Sequence, residues 1–158
     1  MTDTNFDNRA NLKFGWMALL VFAVLGLTLE GLHLIKAPWY MEMHIRRELW
    51  TLGHAHGTLL ALVNIVYGLY ANRIAAKQWR RRASAALRTA AVLMPLGFLL
   101  GGVANPETDP SIGIILVPIG ALLLIFAAAV AALSTWQKPD EKADKQPATK
   151  TKKKRRRR

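Results

Sequence analysis

The sequence predicts an all-α integral membrane protein, a four-helix bundle running up-down-up-down with both termini in the cytoplasm. Three observations carry this expectation. Of 158 residues, 52% are hydrophobic, above the globular norm. The excess gathers into four runs, at about 14–35, 49–71, 86–103 and 112–133. Each approaches the roughly 20 residues that a helix rising about 1.5 Å per residue needs to span about 30 Å of hydrocarbon. The third observation is that Lys and Arg flank these runs unevenly.

The first run is longer than a signal-peptide core and no small-x-small cleavage site follows it in IKAPWYM, so it is expected to remain as the first span. Arg9 and Lys13 precede it, the segment between the second and third runs holds Arg73, Lys77, Arg80, Arg81 and Arg82, and the C-terminal tail is basic. With four spans these segments share one side. The other side has Lys36, Arg46 and Arg47 among Glu42 and Glu48, and the acidic turn from Asn105 to Pro110. The positive-inside rule then places both termini in the cytoplasm of a multi-pass protein of the inner (cytoplasmic) membrane. Trp16, Trp79 and Trp136 fall at the inner boundary, and Trp39 and Trp50 at the outer one, as an aromatic belt requires.

The third run carries Pro95, Gly97, Gly101 and Gly102, and the fourth Gly113, Pro118 and Gly120. The Gly97-x-x-x-Gly101 spacing suits close helix approach, and the two prolines sit at similar depth in the outer half. The transmembrane domain is expected to cover residues 1–136. From 137 to 158 the composition changes to eleven Lys or Arg against three acids with no apolar run, which predicts a disordered polybasic cytoplasmic tail. Its expected partners are anionic lipid head groups, at about 1 kcal/mol per basic residue near the surface. Specific nucleic-acid binding is not expected, because the tail has no folded reader of base edges. Beyond the bilayer itself, a membrane-protein partner or a second copy of the chain is the expected company.

Ionisable groups within a span are costly and therefore candidate functional residues. The first run ends in Glu30-Gly31-Leu32-His33 and the second opens on Gly53-His54-Ala55-His56-Gly57. All four ionisable groups lie within about two turns of the outer end. Glu30 and His33 share a helix face. His54 and His56 stand about 200° apart around a regular helix and cannot readily chelate one ion together. His56 aligns with Leu60, Asn64 and Tyr67 in a polar stripe, whereas His54 aligns with Thr58, Ala61, Ile65 and Gly68, a stripe of small residues suited to close packing. His56 is thus expected to be the inward ligand, with His54 supporting it or, if the helix is rotated, ligating in its place. His44, in the outer connection, is expected in water or at the interface.

No cysteine is present, so disulfides, thiolate metal sites, iron–sulfur clusters and Cys-attached haem are excluded. Glu30, His33, His54 and His56 could supply two imidazoles and a carboxylate to a single iron, copper or zinc ion. His56-Gly57, followed by an unbroken apolar helix, resembles the second helix of haem–copper oxidase subunit I, where a His-Gly pair ligates a low-spin haem. The resemblance implies an axial role for His56, with Gly57 leaving room for the macrocycle. The family's further histidines on late helices have no counterpart here, so oxygen reduction does not carry over. A b-type haem needs two axial imidazoles, and His33 with His56 is the pair at matching depth on neighbouring helices. Arg46 and Arg47 would hold the propionates in bidentate fashion, and Glu30 would orient an imidazole.

No nucleophile–base–acid set and no phosphate-binding loop is present, so the sequence supports no catalytic constellation of its own and leaves open a redox subunit. The leading expectation is haem b or metal binding through the outer histidines, for electron transfer or sensing. One alternative is a non-enzymatic scaffold or accessory subunit in which the polar cluster is interhelical glue. Another is a proton or metal-ion carrier using Glu30, His56, Asn64 and Tyr67.

Overall fold

The computed structural model of the protein describes residues 4–74, 77–103 and 109–136, with residues 4–7 as backbone only. Most of the acidic turn from Asn105 to Pro110, and the whole tail 137–158, lie outside the described residues. Helix α1 spans Thr4–Leu34, the short α2 Pro38–Met41, α3 His44–Tyr70, α4 Lys77–Gly101 and α5 Leu116–Trp136. One-turn 3-10 segments at Ala71–Arg73 and Ile112–Ile115 follow α3 and precede α5. Among the described residues there is no strand. Four segments are long and apolar enough to cross a membrane: Asn8–Leu34, His44–Arg73, Lys77–Gly101 and Ile112–Trp136.

The helices outrun the apolar runs. α4 starts at Lys77 although hydrophobicity begins only near 86, because Lys, Arg, Gln and Ala are strong helix formers and carry the helix past the apolar core. α1 likewise reaches back to Thr4. Its other end is fixed by geometry: Lys36 adopts φ 51°, Lys36 N–H donates to His33 O at 3.1 Å and Ala37 N–H to Leu32 O at 3.0 Å. That is the paired bonding of a left-handed helix stop, normally made by glycine. Pro38 then opens α2.

Helices that are neighbours in the chain pack on one another. Gly68 lies against Leu12, Gly15 against Ile65 and Gly26 against His54, so the small-residue stripe of α3 receives α1 at close range. On another side α3 meets α4, with Leu60 beside Ala91 and Met94. α5 joins α4 through Gly97 against Val117, Gly101 against Ile114 and Gly120 against Met94. Glycine permits backbone contact at these points, as the Gly97-x-x-x-Gly101 spacing foreshadows. Pro95 is buried inside α4 and Pro118 is exposed in the first turn of α5.

Burial separates inner from outer helices. Of the most apolar window of α4, 56% is buried, against 11% in α1 and in α5, so α4 with α3 forms the centre and the other two flank it. Trp16, Leu20, Val24 and Leu27 on α1, and Leu122, Ile125 and Leu133 on α5, are exposed. Apolar stripes of this extent suit contact with lipid chains.

Candidate functional site

Polar side chains gather at two ends of the bundle. The first is the end expected from the sequence, where α1 stops and α3 starts. His54 turns toward α1: its Nδ1 donates to Phe22 O at 2.8 Å, and its ring fills the space that the missing side chain of Gly26 leaves. His56 turns toward α4, with its ring 4.8 Å from that of Phe98 and Nδ1 bonded to Leu52 O at 2.9 Å. The divergence expected from helical geometry is present, yet His54 rather than His56 is the imidazole held between two helices by a hydrogen bond. Gly57 does leave room, but for the ring of Phe22.

His33 is exposed, bonded through Nδ1 to Leu29 O at 3.1 Å and set edge-on to Tyr40 at 5.0 Å. With Arg47, Glu48, Thr51 and Leu52 it lines a shallow depression of about 430 Å³. Glu30 is exposed and makes no hydrogen bond or ion pair among the described residues. The three span histidines therefore contact three different surroundings: His33 meets α2, His54 meets α1 and His56 meets α4. No group of three His, Cys, Asp or Glu able to hold a metal occurs among the described residues. One chemical feature is common to the three imidazoles. A carbonyl oxygen can only accept, so each Nδ1 carries the proton and each Nε2 is the basic nitrogen.

Arg46 and Arg47 act as clamps on the connection. Arg46 donates through Nη1 to Trp39 O at 2.7 Å and through Nε to Gly102 O at 3.1 Å, and its guanidinium lies 6.0 Å from the Trp50 ring. The Trp50 indole N–H reaches Leu99 O at 3.0 Å, which also accepts from Gly102 N–H, so two α3 side chains bond carbonyls at and just beyond the end of α4. Arg47 donates to Met41 O at 3.0 Å and contacts His44 Nε2 at 3.2 Å. His44 is exposed, as expected, although it is the first residue of α3 and not part of a loop; its ring stands 3.6 Å from Glu48. Within this shell Tyr40 is fully buried and its hydroxyl has no hydrogen-bond partner. The Thr51 hydroxyl, which approaches it, donates to Arg47 O at 2.8 Å instead. Burial raises the Tyr40 pKa above its ordinary 10.0, Glu30 adds to the rise, and Thr51 and the Arg47 charge oppose it.

The second polar group lies at the opposite, basic end and was missed by sequence reasoning apart from Asn64 and Tyr67. Asn11 of α1 and Asn64 of α3 are both 0% exposed. Asn11 Nδ2 donates to Asn64 Oδ1 at 2.9 Å, Ser84 of α4 donates to Asn11 Oδ1, and Asn64 Nδ2 donates to Leu60 O at 2.9 Å and, more weakly, to Leu87 O at 3.5 Å. Three helices are thereby joined through one set of buried amides. Nearby, Asn8 donates to Asn72 at 2.5 Å and Tyr67 OH to Arg80 O at 2.8 Å. The available signal was the spacing of Asn8, Asn11 and Gly15 on one helical face, continuing the first run backwards. No protein-family model matches this chain, and neither does any curated protein or any solved structure.

Proposed function

We propose that the protein is a non-enzymatic scaffold or accessory subunit of the inner (cytoplasmic) membrane, its four spans running up-down-up-down with both termini on the cytoplasmic side. The observation that carries this reading is the Asn11–Asn64–Ser84 bonding. The most deeply buried polar side chains join helix to helix, as expected of a body built to be rigid and to present its outer faces. The Lys and Arg distribution supports the orientation, and the polybasic tail would serve as the handle for anionic lipid or for a partner. The test is purification of the full chain from cross-linked native membranes. A stoichiometric second membrane protein, whose abundance falls when this chain is deleted, is the expected result; a chain that isolates alone and whose deletion alters no other membrane protein would overturn the reading.

A second reading is haem b or a single iron, copper or zinc ion held by the outer histidines with Glu30, for electron transfer or sensing. One observation favours it: each Nδ1 is tied to a carbonyl, the arrangement that orients a ligating imidazole and leaves Nε2 free to bind. His33 stands against Tyr40 and His56 against Phe98. A Soret band or stoichiometric metal that disappears in His33→Ala and His56→Ala would establish this reading over the first.

A further inference from the structure

At the basic end, α4 and α5 leave an open groove of about 300 Å³ lined by Ile74, Trp79, Phe126, Ala129, Val130, Leu133 and Ser134. The α5 residues recur at three- and four-residue intervals and so form one face of that helix. The wall is apolar, and the rings of Trp79 and Phe126 stand 6.3 Å apart at its floor. The volume is at the lower end of small-ligand sites, of order 300–1,000 Å³, and suits a segment of an acyl chain.

The surroundings of the groove are cationic. The Arg82 guanidinium lies over the Trp79 ring at 5.3 Å from its centroid. Arg80 is only 5% exposed; it reaches the carbonyl of the groove residue Ile74 through a long 3.5 Å contact, and its Nε has no partner. No Asp or Glu occurs in α4, in α5 or in the 71–74 turn. A guanidinium withdrawn from water without a counter-charge is costly, and among the described residues no carboxylate pairs with Arg80, so the site suits an anion. Basic pockets between membrane helices take the phosphates of anionic lipids, with a tryptophan at the head-group level.

We propose that this groove holds one anionic phospholipid, its acyl chain along Phe126, Val130 and Leu133 and its phosphate against Arg80 and Arg82. The site belongs to the folded bundle and is separate from any attraction exerted by the tail. It is independent of the scaffold reading. Native mass spectrometry of the full chain, released from detergent micelles doped with equal amounts of phosphatidylglycerol and phosphatidylcholine, tests it. One phosphatidylglycerol should be retained several-fold more than phosphatidylcholine. Ala129→Phe, which fills the groove and leaves every charge in place, should bring retention down to the phosphatidylcholine level, and Arg82→Gln should weaken it. Arg80→Gln should abolish it; should that variant not fold, the other two still decide. Equal retention of the two lipids, or full phosphatidylglycerol retention by Ala129→Phe, would overturn the proposal, the latter by showing that surface charge or the tail is the source.

Discussion

The two ends of the bundle handle polar side chains in opposite ways. At the basic end, Asn11, Asn64 and Ser84 bond to one another across three helices, side chain to side chain and out of reach of solvent. At the histidine end, His33, His54 and His56 each bond a backbone carbonyl, and of these only His54 does so across helices. Arg46 and Trp50 likewise cap carbonyls of the connection and of the end of α4. A carbonyl accepts from any donor within reach, whereas an amide pair such as Asn11 and Asn64 works only in one register. The first end therefore specifies how the helices align, and the second end closes and trims them. Buried networks in which each member supports the next stand to lose more on deletion than isolated bonds do.

That contrast can be broken most sharply at Asn64. Asn64→Leu should lower stability by about 3 kcal/mol, since it strands the Asn11 amide in an apolar interior, as read by unfolding in mixed detergent micelles. An Asn11→Leu/Asn64→Leu pair should cost less than the sum of the singles, and strict additivity would count against a coupled network. Next comes Gly15→Ala. Its new Cβ would lie 2.6 Å from Ile65 Cγ1 and 2.9 Å from Ala61 O, so α1 must move off α3 at about 1–3 kcal/mol, visible as a lower midpoint in the same assay. A smaller loss, about 1 kcal/mol, is expected for Arg46→Ala, because its two carbonyl bonds lie partly in solvent. Hydrogen exchange should locate the change at 38–46 and the end of α4; a uniform change along the bundle would contradict the separation of the two ends.

The smallest effect belongs to Tyr40→Phe. Removing a hydroxyl that has no partner should leave stability at neutral pH within about 1 kcal/mol, or raise it slightly. The alkaline limb should change more. Because the folded pKa of Tyr40 lies above the ordinary 10.0, its neutral form contributes stability that is intact below 10.0 and is lost as pH rises through the folded value. Phe at this position should remove that loss in an alkaline unfolding titration, and an unchanged alkaline limb would show that Tyr40 is not buried in solution.

Four spans were legible because hydrophobicity alone marks them. Their ends were not: Lys77 to Arg82 read as loop by charge, yet they are helical by propensity, and all but the buried Arg80 expose their side chains. This boundary hid two of the three residues of the network, since Asn11 and Ser84 fall just outside the apolar runs while their helices continue through them. The opposite orientation of His54 and His56 followed from about 100° per residue, a property of a single helix. What each faces, Phe22 O for one and Phe98 for the other, depends on the register between helices, which no single helix encodes. The carbonyl bonding of Arg46 and Arg47 was out of reach for the same reason, as it depends on how α2 folds back after the left-handed turn at Lys36.

The order in which the helices touch bears on how the protein is made. The long helices pack on their neighbours in the chain, α1 on α3, α3 on α4 and α4 on α5, so the contacts span short distances along the chain and assembly can keep pace with insertion. Asn11 and Asn64 can meet as soon as α3 has entered the membrane. Ser84 arrives only with α4 and completes the bonding, so the pair formed first serves as the template on which the central helix selects its depth.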